Sequence, residues 1–238
     1  AEFEALLASP GTLALWHGLF MIIVAWILAR GIQAGIEWAV KFLMPALFFL
    51  LLMMVGYGAV KGDMAQAMHF MFDFDFSAID GTTILVAIGQ AFFSIGVAMG
   101  LMMDYGAYLP REISIARSAV IIATLDTVVA IIAGLAIFPI IFAFGLEPDA
   151  GPGLVFITLP FVFGDIMGGQ LFGTIFFVLL LFAALTSSIG MIEAPVAWLS
   201  ERTRLGRTGA ALLAGGISWS LGVLAVLSQN RLSDFYPL

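Results

Sequence analysis

The chain has 238 residues, of which 62% are hydrophobic and only 11% charged, and its formal net charge is −7. A soluble domain carries about 25% charged residues, so this composition excludes a soluble globular protein and indicates an integral membrane protein. The sequence has no cysteine, which excludes disulfides and thiolate metal sites. Two histidines are too few for a histidine metal cage, and the acidic balance argues against a nucleic-acid partner.

Runs of about 20 apolar residues predict six transmembrane helices. They lie at about residues 13–29, 38–60, 82–109, 118–145, 171–199 and 208–228. The predicted fold class is therefore an all-α polytopic membrane protein, with residues 1–238 in a single membrane domain. The chain starts with neither a methionine nor a signal peptide, so we expect it to be part of a longer polypeptide.

The third predicted span is unfavourable for a continuous helix. Its residues 89–100 read GQAFFSIGVAMG, and each of the three glycines costs a helix about 1 kcal/mol relative to alanine. We expect the helix to be broken near residues 93–98. Unwound backbone at membrane depth is stable only where it is buried in protein or lines a cavity, because lipid offers no hydrogen bonds. The segment is therefore a candidate site for a solute or an ion.

The loops between the predicted spans alternate in charge. Seven of the nine basic residues fall on one side, whereas most acids fall on the other. The basic set is Arg30, Lys41, Arg111, Arg117, Arg202, Arg204 and Arg207. The positive-inside rule places these basic loops in the cytoplasm of a multi-pass protein of the cell (inner) membrane. Residues 146–170 are then a long extracellular loop, either a lid over an external vestibule or a loop packed on the helix tops.

Two acids, Asp126 and Glu193, lie well inside predicted spans. Intramembrane carboxylates are costly and normally face a partner, a cavity or an ion, and a buried structural role is the alternative for both. Ala183, Thr186 and Gly190 share a helix face with Glu193 because their spacings are three and four. Such residues also permit close helix packing, and hydroxyls can bond to their own helix. Combined with a broken helix and a carboxylate, these oxygens suit an alkali cation better than a transition metal.

Four segments resemble the neurotransmitter:sodium symporter family, specifically bacterial sodium-dependent amino-acid transporters with the leucine-transporter fold. They are residues 89–108 (GQAFFSIGVAMGLMMDYGAY), 124–139 (TLDTVVAIIAGLAIFP), 151–160 (GPGLVFITLP) and 182–189 (FAALTSSI). They occur in the family's order and spacing. The resemblance implies that the six spans correspond to family helices four to nine, the broken one being the discontinuous sixth. It also implies sodium-coupled symport of a small solute, most readily an amino acid, by alternating access, and no enzymatic activity.

The same resemblance implies the site residues. Substrate would be bound by Phe93, Ser94, Gly96, Met99, Ser187 and Met191. Sodium would be bound at two sites by Ser94, Asp126, the carbonyl of Ala183, Thr186 and Ser187. The gates would contain Phe93, Tyr108 and Glu201. Gly96 and Met99 differ from the serine and the aromatic residue that are usual in the family, so the particular amino acid is not implied.

Chloride and partners follow from the same resemblance. The Asp126 carboxylate would add the negative charge that chloride supplies in chloride-dependent relatives, and Ala130 stands where those relatives have a chloride-binding serine, so chloride is expected not to be required. The expected partners are a small-molecule substrate and the lipid bilayer, with a homodimer as a candidate assembly. Because the family's first and third helices supply parts of the site, we expect the chain alone not to transport. The residues by themselves leave open a cation channel or another non-coupled membrane protein.

Overall fold

The computed structural model describes residues 2–97, 100–107, 109–110, 112–146, 153–165 and 168–228. Over these ranges the chain is helical and contains no strand, which confirms the predicted all-α membrane fold class. The helices are α1 (Glu2–Leu7), α2 (Pro10–Ala29), α3 (Trp38–Lys61), α4 (Met64–Phe72), α5 (Gly81–Ile95), α6 (Leu101–Ala107), α7 (Ile115–Ala143), α8 (Leu159–Asp165), α9 (Gly169–Arg202) and α10 (Arg207–Ser228). Short π-helical segments, Ile32–Glu37 and Leu154–Thr158, lead into α3 and α8.

Five helices of the described residues are long and apolar enough to cross a membrane: α2, α3 with its π-helical segment, α7, α9 and α10. The third predicted span is instead divided into α5 and α6. Helix α2 begins at Pro10, three residues before the predicted start, because proline is well tolerated in the first turn of a helix. The chain separates into two compact units, Ala1–Met44 with Leu181–Leu238 (the first unit) and Pro45–Leu180 (the second unit).

The first unit is held together by close packing of small residues against larger ones. Gly18 of α2 faces the indole nitrogen of Trp219 in α10, which would lie 3.3 Å from an added Cβ. Conversely, Gly222 of α10 faces the imidazole of His17 in α2, which lies too close to leave room for a Cβ at Gly222. An aromatic side chain of each helix therefore packs against a glycine of the other, and small residues make such close packing possible in membrane helix pairs.

The second unit has its apolar core around α7. Ile140 and Ile141 are buried there together with Met54 of α3 and Phe176 of α9. The segment predicted as a loop over residues 146–170 differs from that expectation, because it contains α8 and the start of α9. Its Leu159, Val162 and Phe163 are buried in the same core. Their spacing of three and one places them on one helix face, and burying that face stabilises the helix.

Two short polar caps start helices of the second unit outside the apolar spans. Asp63 caps α4 by accepting a hydrogen bond from the Gln66 N–H at 2.9 Å. Asp80 caps α5 and accepts from the Thr83 N–H at 2.7 Å and from the Thr83 hydroxyl at 2.8 Å. The hydrogen bonds that Thr83 donates hold the pKa of the Asp80 carboxyl below its usual range, and the backbone bond has the larger effect of the two. The cap consequently stays ionised at neutral pH and fixes where α5 begins.

Candidate functional site

The break in the third predicted span lies between Ile95 and Leu101. Gly96 adopts a left-handed backbone with φ of 71°, which closes the end of α5. Its N–H donates to the Phe93 carbonyl at 3.1 Å, and the Val97 N–H donates to the Phe92 carbonyl at 2.9 Å. These two bonds form a Schellman motif, the usual way in which a glycine ends a helix.

The helix end leaves backbone oxygens at the break. A helix cannot satisfy its last four carbonyls internally, and the Schellman motif provides donors for only the first two of these, Phe92 and Phe93. The next two carbonyls belong to Ser94 and Ile95. Among the described residues, no backbone N–H donates to either of them. The last turn of α5 therefore holds the hydroxyl of Ser94 and the backbone carbonyls of Ser94 and Ile95 close together.

Ser94 is joined to α7 by a hydrogen bond across 32 residues of sequence. Its hydroxyl lies 2.7 Å from each of the two carboxylate oxygens of Asp126 and donates to the carboxylate. Asp126 is half-buried in the apolar helix α7, where an ionised carboxylate is costly without a partner. Carboxylate, hydroxyl and carbonyl oxygens are hard ligands that suit alkali and alkaline-earth cations. The neighbouring Phe93 side chain is exposed.

A second set of predicted residues lies on α9 in the first unit. The Thr186 hydroxyl donates to two carbonyls of its own helix, Phe182 and Ala183, both at 3.0 Å. Ala183 and Thr186, two predicted sodium ligands, are thus in direct contact, and the hydroxyl bonds to its own helix as hydroxyls in membrane helices commonly do. Ser187 and Met191, which follow Thr186 by one and five residues on the same helix, are exposed.

Sequence reasoning placed Arg207 among the basic loop residues and missed its contact with Glu193 in the first unit. Its guanidinium donates to the carboxylate of Glu193 at 2.5 Å and, through Nε, to the carbonyl of Leu28 at 3.0 Å. Glu193 is fully buried, and Arg207 is about three-quarters buried. The two bonds connect α9 and α10 to the end of α2. A sequence signal exists, since the acid lies near the end of one span and Arg207 begins the next.

Some predicted residues are not brought together by the described geometry. Glu201 is exposed near the end of α9. Met99 and Tyr108 lie outside the described residues. Within the described ranges, no three histidine, aspartate or glutamate side chains cluster as they would around a transition metal. Among the predicted site residues that the structure describes, Ser94 and Asp126 are the pair that a side-chain hydrogen bond joins between two helices.

Known proteins give this geometry a context. A family model described as the sodium:neurotransmitter symporter family matches residues 3–228 of the chain. The chain belongs to this family. The chain is 39% identical over 223 residues to an uncharacterized sodium-dependent transporter of Haemophilus influenzae, covering 93% of this chain and 49% of the relative. It is 35% identical over 236 residues to the uncharacterized sodium-dependent transporter YhdH of Bacillus subtilis, covering 99% of this chain and 52% of the relative.

A solved structure shares the fold of this chain. The crystal structure of MhsT in complex with L-phenylalanine superposes with a TM-score of 0.86 at 40% sequence identity, covering 99% of this chain and 54% of that one. The chain therefore spans about half the length of the relatives that it matches. Family and fold together establish a membrane protein of a sodium-dependent transporter family.

Proposed function

We propose that the protein carries out sodium-coupled symport of a small solute, an amino acid, by alternating access. The observation that carries the proposal is the Ser94 hydroxyl bonded to the Asp126 carboxylate at the broken end of α5. A purely structural carboxylate would not need a helix break beside it. MhsT, which shares the fold, has been crystallised with L-phenylalanine, and this supports an amino acid as the substrate class.

The first sodium ion is assigned to Ser94 and Asp126, and the second to Ala183, Thr186 and Ser187. Sodium would exchange its hydration water for carboxylate, hydroxyl and carbonyl oxygens, which are the ligand types that these residues carry. The assigned substrate-binding residues are Phe93, Ser94, Gly96, Met99, Ser187 and Met191. Phe93, Tyr108 and Glu201 are assigned to the gates.

Coupling needs no covalent chemistry. A ligand shifts a conformational equilibrium only by its difference in affinity for the two states, and the effect of sodium on substrate affinity equals the effect of substrate on sodium affinity. We further propose that the basic loops face the cytoplasm in the cell membrane, that residues 146–170 cover the external side, that the transporter does not require chloride, and that it assembles as a homodimer.

The test compares variants of the full-length protein reconstituted into liposomes. Asp126→Asn and Ser94→Ala are expected to weaken sodium binding at least about tenfold, since hydrogen bonds and contacts to a charged group contribute about 1.5–3 kcal/mol. Sodium binding is measured by the sodium dependence of thermal stability, and transport by uptake of radiolabelled amino acids under an inward sodium gradient.

Thr127→Ala is the matched control, because Thr127 is adjacent to Asp126 but its hydroxyl donates to the Ala123 carbonyl of its own helix at 2.9 Å. Its sodium affinity should equal that of the unmodified protein. Unchanged sodium affinity in both site variants would reject the sodium site. Passive conduction of the solute without a sodium gradient would instead indicate a channel.

A further inference from the structure

The first unit contains an apolar groove of about 690 Å³ between α2 and α10. Along α2 its lining runs from Ala14 to Ala29, which is about 22 Å at 1.5 Å per residue. The floor is formed by small residues, among them Gly18, Gly215 and Gly216, and the walls include the side chains of Trp26 and Trp219. Half of the hydrocarbon core of a bilayer is about 15 Å thick. The groove is thus longer than the acyl region of one leaflet.

One end of the groove carries a positive charge. The Arg30 guanidinium carbon lies 3.8 Å from the centroid of the Trp26 ring, so the arginine is stacked on a residue that lines the groove. Arg30 is exposed, and no carboxylate of the described residues forms an ion pair with it. Its charge is therefore available to an external anion.

Two further features at the same end favour an anion. Thr208, in the first turn of α10, also lines the groove and is exposed. The N-terminal turn of a helix presents unpaired N–H groups and a partial positive charge. This helix start is held beside the end of α2, because the Arg207 Nε donates to the Leu28 carbonyl at 3.0 Å. The Arg30 guanidinium, the Thr208 hydroxyl and the start of α10 thus lie together at one end of the apolar groove.

We propose that this groove is a binding site for an anionic phospholipid. An acyl chain fills the groove between α2 and α10, and the phosphate lies against Arg30 and the first turn of α10. The ligand is an intact lipid and not free phosphate, because nearly all of the site is apolar and only its end is charged. Charge complementarity distinguishes the site from ordinary lipid contact, since a zwitterionic lipid gains less from an arginine without a carboxylate partner.

The experiment uses the full-length protein purified from membranes and transferred to nanodiscs of phosphatidylcholine with added phosphatidylglycerol. Lipid that stays bound to the protein is counted by native mass spectrometry after release from the nanodisc. Arg30→Gln removes the charge and keeps the groove. It should bind phosphatidylglycerol about fivefold more weakly, as expected for one basic residue at an anionic membrane surface.

Gly216→Phe tests the groove and keeps the charge. Gly216 lines the groove and an added Cβ there meets open space, so the introduced side chain is expected to project into the groove. It should reduce retention of both lipids. Arg204→Gln, an exposed arginine that does not line the groove, and Gly56→Phe, an exposed helical glycine with open space around its Cβ, are the matched controls and should retain lipid as the unmodified protein does.

Equal retention of phosphatidylglycerol by Arg30→Gln, Gly216→Phe and the unmodified protein would overturn the proposal. Loss of phosphatidylcholine and phosphatidylglycerol to the same extent in Arg30→Gln would also overturn it, because the preference for an anionic lipid would be absent. If Gly216→Phe changes the oligomeric mass and leaves bound lipid unchanged, a second copy of the protein occupies the groove and the proposal is wrong.

Discussion

Glu193 is a fully buried carboxylate whose charge is balanced by a residue at the start of the next helix. Arg207 donates to it at 2.5 Å and to the Leu28 carbonyl at 3.0 Å. Removing one partner of a buried pair leaves the other charge uncompensated, which costs about 3–5 kcal/mol, whereas replacing both by apolar residues is often nearly neutral. Loss of one partner alone is therefore expected to cost more stability than replacement of both.

We expect Glu193→Ala to lower the free energy of unfolding by about 3 kcal/mol, because Arg207 would remain largely buried without its carboxylate. Thermal unfolding in detergent micelles measures the effect. The Glu193→Leu, Arg207→Leu double variant should recover most of the loss. Glu37→Ala serves as the control, since Glu37 and Lys41 pair at 2.7 Å on an exposed helix surface, where an ion pair contributes about 0.5 kcal/mol or less. Equal stability of Glu193→Ala and Glu37→Ala would contradict the prediction.

Single residues were predictable where the sequence itself restricts the choice. Asp126 is conspicuous because a carboxylate within an apolar span is costly, and the resemblance placed Ser94 beside it. The structure joins these two side chains by a hydrogen bond. The partner of Glu193 was not predicted, because hydropathy gives the length of a span but not which side chain of the following helix reaches it. Only the packing of α10 against α2 brings Arg207 into position.

At the scale of whole elements, the positions of the long helices follow from hydropathy because a bilayer requires about 20 apolar residues in sequence. The helices α4 and α8 are too short to cross a bilayer, so this length criterion does not predict them. Helix α4 is stabilised by the Asp63 cap and by contact of Phe70 with Phe138 and Phe142, at centroid distances of 5.0 and 5.5 Å. A contact of this kind depends on tertiary structure and leaves only a weak trace in the sequence.

The glycines of α5 have opposite roles, and this difference is testable. Gly96 has φ of 71°, where a residue with a Cβ is strained, and its added Cβ would lie 3.0 Å from the Leu101 side chain. Gly89 lies inside α5, whereas Gly96 follows its last residue, and Gly89 has ordinary backbone and open space around its Cβ. We expect Gly96→Ala to destabilise the protein by about 1–2 kcal/mol and Gly89→Ala to stabilise it by about 0.5–1 kcal/mol.

Thermal unfolding of both variants in one detergent gives the comparison, and Gly96→Asn should lose less than Gly96→Ala because asparagine tolerates the left-handed conformation better. Sodium binding by Gly96→Ala should weaken as well, since Ser94 lies in the last turn of the helix that Gly96 closes. A Gly96→Ala variant that gains stability as Gly89→Ala does would show that the left-handed end of α5 is not maintained in the membrane.

At the scale of the whole molecule, the sequence identified the transporter family, but the substrate is not determined by what this chain contains. The chain spans about half the length of its relatives, and the pocket residues assigned here are only part of what such a protein would present. Gly96 and Met99 depart from the usual family residues, so a resemblance alone cannot define the pocket volume. The requirement for chloride, in contrast, can be predicted. Asp126 adds a fixed negative charge near the assigned sodium site.

A fixed carboxylate at Asp126 should make an added anion unnecessary. A sodium ion at Ser94 and Asp126 would have its charge balanced by the protein, whereas a site made of neutral ligands would gain from a bound chloride. We expect sodium-driven amino-acid uptake by the full-length protein in liposomes to be unchanged when external and internal chloride are replaced by gluconate. Replacement of sodium by choline is the control and should abolish uptake. A several-fold loss of uptake in gluconate, with sodium kept constant, would show that Asp126 does not substitute for chloride.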